Sequence, residues 1–208
     1  MSDVVIPIVF PDYKITVNIP KENYDPIPYF DFDNFSTPAY KERFEGLGHA
    51  GVLIINGETG TTKYFEYGRY DKRALGKVQK IENLPNVKVN NGKIILRSLK
   101  DALNKISRES GKNIRIEGVY IEVENKFNFM LGYAKLREHQ NNNPKRKPYS
   151  LTSNSCVHFA KEVTSKGGII TPWMVDPRPN SYIKEFRNDY TDLDFKNNQL
   201  TIEGKGTF

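Results

Sequence analysis

The chain has 208 residues, 38% of them hydrophobic, and its 31 lysines and arginines exceed its 25 aspartates and glutamates to give a net charge of +6. This content is enough for a single folded domain over residues 1–208, and a lone cysteine excludes an internal disulfide. We expect no signal peptide, because no positive segment precedes an apolar run at the start, and no membrane span, because no apolar run is long enough.

The first half of the chain predicts β-strands. Val4–Phe10 and Tyr13–Val17 are rich in β-branched and aromatic residues, which indicates two short strands near a sheet edge. Residues 19–46 contain four prolines among many aromatic residues, which is typical of an ordered loop inserted in the domain. An apolar run, a glycine-containing turn and an alternating stretch over 48–71 predict a β-hairpin, and 76–81 predict a further strand.

The second half predicts helices around one strand. Apolar residues at helical spacing indicate an amphipathic helix over 96–107, and residues 114–123 alternate as a strand. Residues 127–139 predict a second helix with four apolar side chains on one face, namely Phe129, Met130, Tyr133 and Leu136. A polar loop over 140–150 leads to a third helix, and residues 182–186 predict a last, short one.

Cys156 lies at the start of the third predicted helix. Ser153, Asn154 and Ser155 precede it with side-chain oxygens suited to an N-cap. Unpaired backbone N–H groups and the helix dipole at this end favour the thiolate form of Cys156. A nucleophile held on a rigid helix fits this position, and so does a buried structural cysteine.

A thiol nucleophile needs a base, and the chain offers three histidines. His158 is two residues after Cys156 on the same helix and points to another face, while His139 ends a helix, where it complements the dipole. His49 begins the apolar strand of the hairpin between two glycines, which leaves room around its imidazole. His49 is therefore the candidate base, although a structural histidine fits this position too.

Glu66 is the candidate third member of the site. If the hairpin turn centres near Glu58, the residue opposite His49 falls within a residue or two of Tyr67, and Glu66 is the carboxylate in that window. A carboxylate bonded to one imidazole nitrogen would fix the tautomer and stabilise imidazolium beside a thiolate. Alternatively, Glu66 points to solvent or pairs with Arg69.

These segments together resemble a known family. "LGHAGVLII" and "TKYFEYGRYD", followed by "NSCVHFA", are similar to the circularly permuted branch of the NlpC/P60 papain-like superfamily. "FPDYKITV" and "DPRPNSYIKEF" are similar to type VI secretion system peptidoglycan hydrolase effectors of that superfamily. The resemblance implies an α+β fold with a papain-like core, in which an antiparallel sheet packs against the helix of Cys156. In that family pattern Cys156 matches the nucleophile, His49 the base and Glu66 a variable third residue, while Ser155 replaces a common aspartate.

The resemblance also implies a function. It predicts a cysteine peptidase or amidase that cleaves amide bonds in the peptide part of peptidoglycan, acting as an antibacterial toxin. Such an effector is made in the cytoplasm and delivered by a type VI system into the periplasm of target bacteria. The expected partners are the peptidoglycan peptide, a cognate immunity protein and a delivery component of the secretion system.

Other functions stay open at this point. A papain-like lipid acyl hydrolase or transferase would use the same residues, and a non-catalytic binding or adaptor domain would need neither thiol nor base. We expect no cofactor and no metal site, because the sequence has no metal-ligand motif. The basic run Lys145–Lys147 is expected to be a solvated loop, so no nucleic-acid partner is expected.

Overall fold

The computed structural model describes residues 1–19, 40–44, 46–71, 75–174 and 176–204. In these ranges the strands are β1 Ser2–Phe10, β2 Ile15–Ile19, β3 Tyr40–Phe44, β4 His49–Ile55, β5 Thr62–Gly68, β6 Lys77–Lys80, β7 Val89–Asn90, β8 Lys93–Ile94, β9 Ile116–Glu124, β10 Thr191–Lys196 and β11 Gln199–Glu203. The helices are α1 Leu96–Glu109, α2 Phe127–His139, α3 Cys156–Ser165 and α4 Pro179–Asp189, with a 3₁₀ turn at Gln140–Asn142.

The main sheet has the strand order β11-β10-β9-β1-β4-β5-β6, and its neighbouring strands run antiparallel. The expectation that the first strand lies near an edge is wrong, since β1 is the central strand. The run from Asp3 to Phe10 is buried throughout, as a strand covered on both faces requires. Pro7 is compatible with this position because the pairing of β1 with β9 is interrupted at Ile6 and Pro7.

Helices cover both faces of the sheet. Residues of α1 share one apolar cluster with the β1 side chains that include Ile6 and Phe10. Residues of α2, α3 and α4 share the other cluster with the β4 side chains of Ala50, Val52 and Ile54. The predicted α+β fold, with an antiparallel sheet against the cysteine helix, is confirmed.

Most of the predicted elements are confirmed, and the remainder need correction. The hairpin, the strands over 76–81 and 114–123 and the helices are present. The predicted face of α2 is wrong: Phe129 and Leu136 are exposed, and α2 packs through Phe127, Met130 and Ala134.

The other corrections concern segments expected to be irregular or left unassigned. β10 and β11, which extend the sheet beyond β9, were not predicted. Of the loop expected over 19–46, residues 40–44 form β3, which pairs with β2, while 20–39 and 45 lie outside the described residues. The 3₁₀ turn occupies the start of the polar loop over 140–150.

Asp3 joins the hairpin to the start of α2. Its carboxylate is buried, and Oδ1 accepts a hydrogen bond of 2.9 Å from the backbone N–H of Gly57. Oδ2 accepts from the N–H groups of Lys126 and Phe127, each at 2.7 Å. Asp3 thereby satisfies unpaired donors at the helix start, where a negative charge is also favourable.

We expect Asp3→Ala to lower the free energy of unfolding by about 2–4 kcal/mol, because three backbone donors, two of them buried, lose a charged acceptor. Urea denaturation measures the change. Asp101→Ala, at an exposed position of α1, is the control and should change stability by less than about 0.5 kcal/mol. Equal stabilities of the two variants would contradict this role of Asp3.

Candidate active site

Cys156 is the first residue of α3. The N-cap is Ser155, whose extended backbone ends the preceding loop and whose hydroxyl accepts from the N–H of His158. The Ser155 backbone N–H donates to Nδ1 of His158 at 3.4 Å, which completes a capping box. Phe159 and Ala160 anchor the helix in the core, and only 2% of Cys156 is exposed. The thiol therefore sits on a rigid, well-capped helix start.

His49 is the first residue of β4, as predicted, and is buried. It lies opposite Phe10 of β1, and the two rings stack with centroids 6.3 Å apart. The Tyr13 ring contacts the imidazole at 5.3 Å between centroids. Packing between aromatic rings restricts the rotation of the imidazole.

Glu66 lies beside His49 because of the hairpin register. β5 places Glu66 opposite Gly51, two residues along β4 from His49, so both side chains project from the same face. Glu66 Oε2 is 3.3 Å from His49 Nε2. Only 6% of Glu66 is exposed, so it does not point to solvent. The described contacts of its carboxylate are with His49, Tyr64 and Tyr70 and not with Arg69.

Two tyrosine hydroxyls hold the Glu66 carboxylate. Tyr64 donates to Oε2 at 2.8 Å, and Tyr70 donates to Oε1 at 2.9 Å. The Tyr70 oxygen is also 3.1 Å from His49 Nε2. Gly51 makes this arrangement possible, because a Cβ there would lie 2.3 Å from the Tyr64 hydroxyl. Gly51 is thus required because the Tyr64 side chain approaches its backbone closely.

The imidazole and the thiol come from opposite faces of the sheet. His49 and Glu66 share the α1 side with Phe10 and Tyr64, whereas Cys156 belongs to the cluster on the α3 side. They interact at the beginning of β4: each shifts the pKa of the other, and the Ala50 backbone also lowers the pKa of Cys156. Since Nε2 of His49 faces Glu66 and Tyr70, Nδ1 is the nitrogen left for the thiol.

Electrostatics favour charge separation between these two groups. Burial alone would lower the pKa of His49, but hydrogen bonds and charge interactions with Cys156 and Glu66 raise it from 6.5 to about 10. Burial would raise the pKa of Cys156, but the hydrogen bond and charge of His49, with smaller contributions from Tyr149 and the Ala50 backbone, lower it. Both shifts favour the pair of thiolate and imidazolium over the pair of neutral groups.

Tyr149 approaches the sulfur from the other side. Its hydroxyl oxygen is 3.6 Å from Sγ of Cys156 and 3.5 Å from the backbone nitrogen of the same residue. The Tyr149 ring stacks on Tyr67, and the Asn154 amide donates to Tyr67 Oη and to the Pro148 carbonyl, each at 2.8 Å. A phenol and a helix-start N–H thus converge beside the thiol.

The structure brings together all three residues proposed from the sequence, His49, Glu66 and Cys156. The other two histidines lie elsewhere: His158 caps α3, and His139 is exposed at the end of α2. In the part of the chain that the structure describes, no group of three or more His, Cys, Asp or Glu side chains is placed to hold a metal ion.

Three tyrosines of the cluster were missed by sequence reasoning. Tyr64 and Tyr70 had a detectable signal, because they alternate in register with Glu66 along the hairpin. Tyr149 had none, since it lies in a polar loop whose path depends on distant contacts.

The fold and this cluster define an antiparallel α+β protein with a buried thiol and imidazole meeting at a helix start. A family model described as "Type VI secretion system effector TseH-like" matches residues 5–168. The crystal structure of the type VI secretion system effector TseH is similar, with 32% sequence identity, coverage of 97% of this chain and 98% of that chain, and a TM-score of 0.76. The chain belongs to the TseH-like family of type VI secretion system effectors. No match to a curated protein reaches significance. Each helix within the described ranges is too short or too polar to cross a bilayer.

We expect Glu66→Gln to lower the pKa of His49, because the neutral amide no longer stabilises the imidazolium as the carboxylate does. Titration of the ring nitrogens by NMR measures this, with an expected wild-type midpoint of about 10. Glu122→Gln, the same change at an exposed position of β9, should leave the midpoint in place. Identical titrations of the wild type and Glu66→Gln would exclude Glu66 as the partner of His49.

Proposed function

We propose that the protein is a cysteine hydrolase that cleaves amide bonds in the peptide part of peptidoglycan. The observation that supports this most directly is the buried His49 and Cys156 pair, whose pKa values are shifted in opposite directions by each other. A structural cysteine has no need of a lowered pKa, whereas a thiol nucleophile does. Burial excludes water and so strengthens each electrostatic interaction in the cluster.

In the first half of the reaction, the Cys156 thiolate attacks the amide carbonyl carbon and the carbonyl oxygen takes the negative charge. The donors proposed for this oxyanion are the backbone N–H of Cys156 and the hydroxyl of Tyr149, which in the resting site donate to the Tyr149 oxygen and to Sγ respectively. The His49 imidazolium then gives its proton to the leaving nitrogen as the carbon–nitrogen bond breaks. The products of this half are an amine and a thioester on Cys156.

In the second half, neutral His49 accepts a proton from water, and the hydroxide attacks the thioester. The carbon–sulfur bond breaks, which releases a carboxylic acid and restores the thiolate beside imidazolium. Glu66 stabilises the imidazolium at both ends of the cycle. Its own carboxyl group is kept ionised, because hydrogen bonds from His49, Tyr64 and Tyr70 lower its pKa against the effect of burial. No other reactant is required besides water.

Membership of the TseH-like family supports delivery by a type VI system, and a cell-wall target agrees with the net charge of +6, since peptidoglycan peptides carry carboxylates. Within this proposal the site of action is the periplasm of target bacteria. The producing cell then needs a cognate immunity protein, and the secretion system supplies a delivery component.

Mass spectrometry of purified sacculi incubated with the protein tests the substrate and identifies the bond cut. Phospholipid vesicles in a parallel reaction test the lipid acyl hydrolase alternative through released fatty acids. Fatty acids without muropeptides would reject the peptidoglycan proposal in favour of lipid chemistry. Neither product, together with a thiol that iodoacetamide does not alkylate between pH 6 and 7, would favour the adaptor alternative.

We expect Cys156→Ala to reduce muropeptide release by about four orders of magnitude, because the nucleophile is lost. His49→Gln should approach the same loss, whereas His139→Gln, at an exposed histidine, should keep wild-type activity. Release of muropeptides is quantified by chromatography of digested sacculi. Undiminished activity of the Cys156 variant would remove the mechanism.

We expect Tyr149→Phe to lower kcat about 100-fold with little change in KM, because the lost hydroxyl acts on the oxyanion and not on the bound substrate. Tyr190→Phe removes a hydroxyl that bonds only the Ile170 carbonyl in the described structure, and serves as the matched control. Steady-state kinetics on a soluble muropeptide separates kcat from KM. A rise in KM alone would assign Tyr149 to substrate binding instead.

A further inference from the structure

The basic run Lys145–Lys147 does not behave as the solvated loop expected from the sequence. Lys145 and Lys147 are exposed, but only 8% of the Arg146 side chain is accessible. Burial of a guanidinium is costly unless it is paired and hydrogen-bonded. Its partners therefore indicate what the residue does.

Arg146 binds a segment that is distant in sequence. Its Nη2 pairs with Oδ2 of Asp71, whose side chain is 17% exposed, and its Nε donates to the Gly76 carbonyl at 2.7 Å. Beside this contact, Leu75 and Pro148 form an isolated β-bridge. The guanidinium thus fastens the 143–150 loop to the residues that follow β5.

The 143–150 loop is itself held at both ends. The Asn141 amide exchanges two hydrogen bonds of 2.9 Å with the backbone of Val78, and Asn154 holds the Pro148 carbonyl. The loop can therefore serve as a fixed support. Asp71 belongs to the segment that this support holds. It directly follows Tyr70, which lies beyond the end of β5 and is 38% exposed.

Tyr70 is the residue whose position depends on this support. Its hydroxyl contacts both His49 Nε2 and Glu66 Oε1, so a shift of the segment would break two contacts of the proposed catalytic cluster at once. A rigid guanidinium fork can bond a carboxylate and a carbonyl together, which a lysine ammonium does less specifically.

We propose that Arg146 is a positioning residue, which holds Tyr70 against His49 and Glu66 by fastening Asp71 and Gly76 to the 143–150 loop. This inference rests on the proposed function, in which His49 and Glu66 set the charge state of Cys156. Arg146 acts through Tyr70 and is not itself a catalytic residue.

The test measures the rate constant for alkylation of Cys156 by iodoacetamide at pH 6 and divides it by the rate constant at pH 9. The ratio reports how well imidazolium stabilises the thiolate and cancels changes in access to the sulfur, which a purely structural defect would alter. The groups that act on this sulfur are His49, Tyr149 and the Ala50 backbone, with Glu66 and Tyr70 behind the imidazole. Arg146→Lys should lower the ratio about fivefold.

Four further variants make the test specific. Tyr70→Phe should lower the ratio at least as much as Arg146→Lys, and the double variant should match Tyr70→Phe. Asp71→Asn, which weakens the same contact from the other side, should act like Arg146→Lys. Arg187→Lys is the matched control, because Arg187 also bonds an aspartate and a carbonyl, those of Asp194 and Leu193, and it should leave the ratio unchanged.

An unchanged ratio in Arg146→Lys would overturn the inference, and so would an equal additional loss when this change is combined with Tyr70→Phe. The alkylation assay needs no peptide substrate. If the ratio falls as expected while wild-type protein releases no muropeptides, the positioning role stands and the hydrolase proposal alone fails.

Discussion

The cluster depends on one interaction, the contact of a buried imidazole with a buried thiol. Separating charge away from water is unfavourable unless each charge has a compensating partner. Glu66 compensates the imidazolium, while the Ala50 backbone and Tyr149 compensate the thiolate. The two phenols on Glu66 follow from the same need, because a buried carboxylate must fill its own acceptor sites.

The architecture explains why this contact forms at the start of β4. His49 and Cys156 belong to different layers of the protein, and within a sheet the backbone of β4 would separate them. At a strand end, side chains from both layers can meet. The central position of β1 beside β4 fixes that end, since the ring of Phe10 supports the imidazole from the neighbouring strand.

Sequence patterns predicted the elements that local periodicity controls. The turn position placed Glu66 within a residue or two of the position opposite His49, and the register seen in the structure puts it on the face of His49. The same reasoning failed where packing chooses among faces or neighbours. The stripe on α2 was assigned to its larger apolar residues, yet the helix packs through Phe127, Met130 and Ala134. β1 was wrongly placed near an edge, because the residues of one strand do not show which strands lie beside it in the sheet.

By itself, the sequence determined the capped helix start under Cys156 and the strand that begins at His49, because each depends on residues a few positions apart. The face of Glu66 depends on a hairpin register that the sequence left open. Only the tertiary structure decided that thiol and imidazole meet, that Tyr149 reaches the sulfur and that Arg146 turns inward toward Asp71. These contacts join segments separated by many residues, and their formation depends on how whole layers pack, which no local pattern encodes.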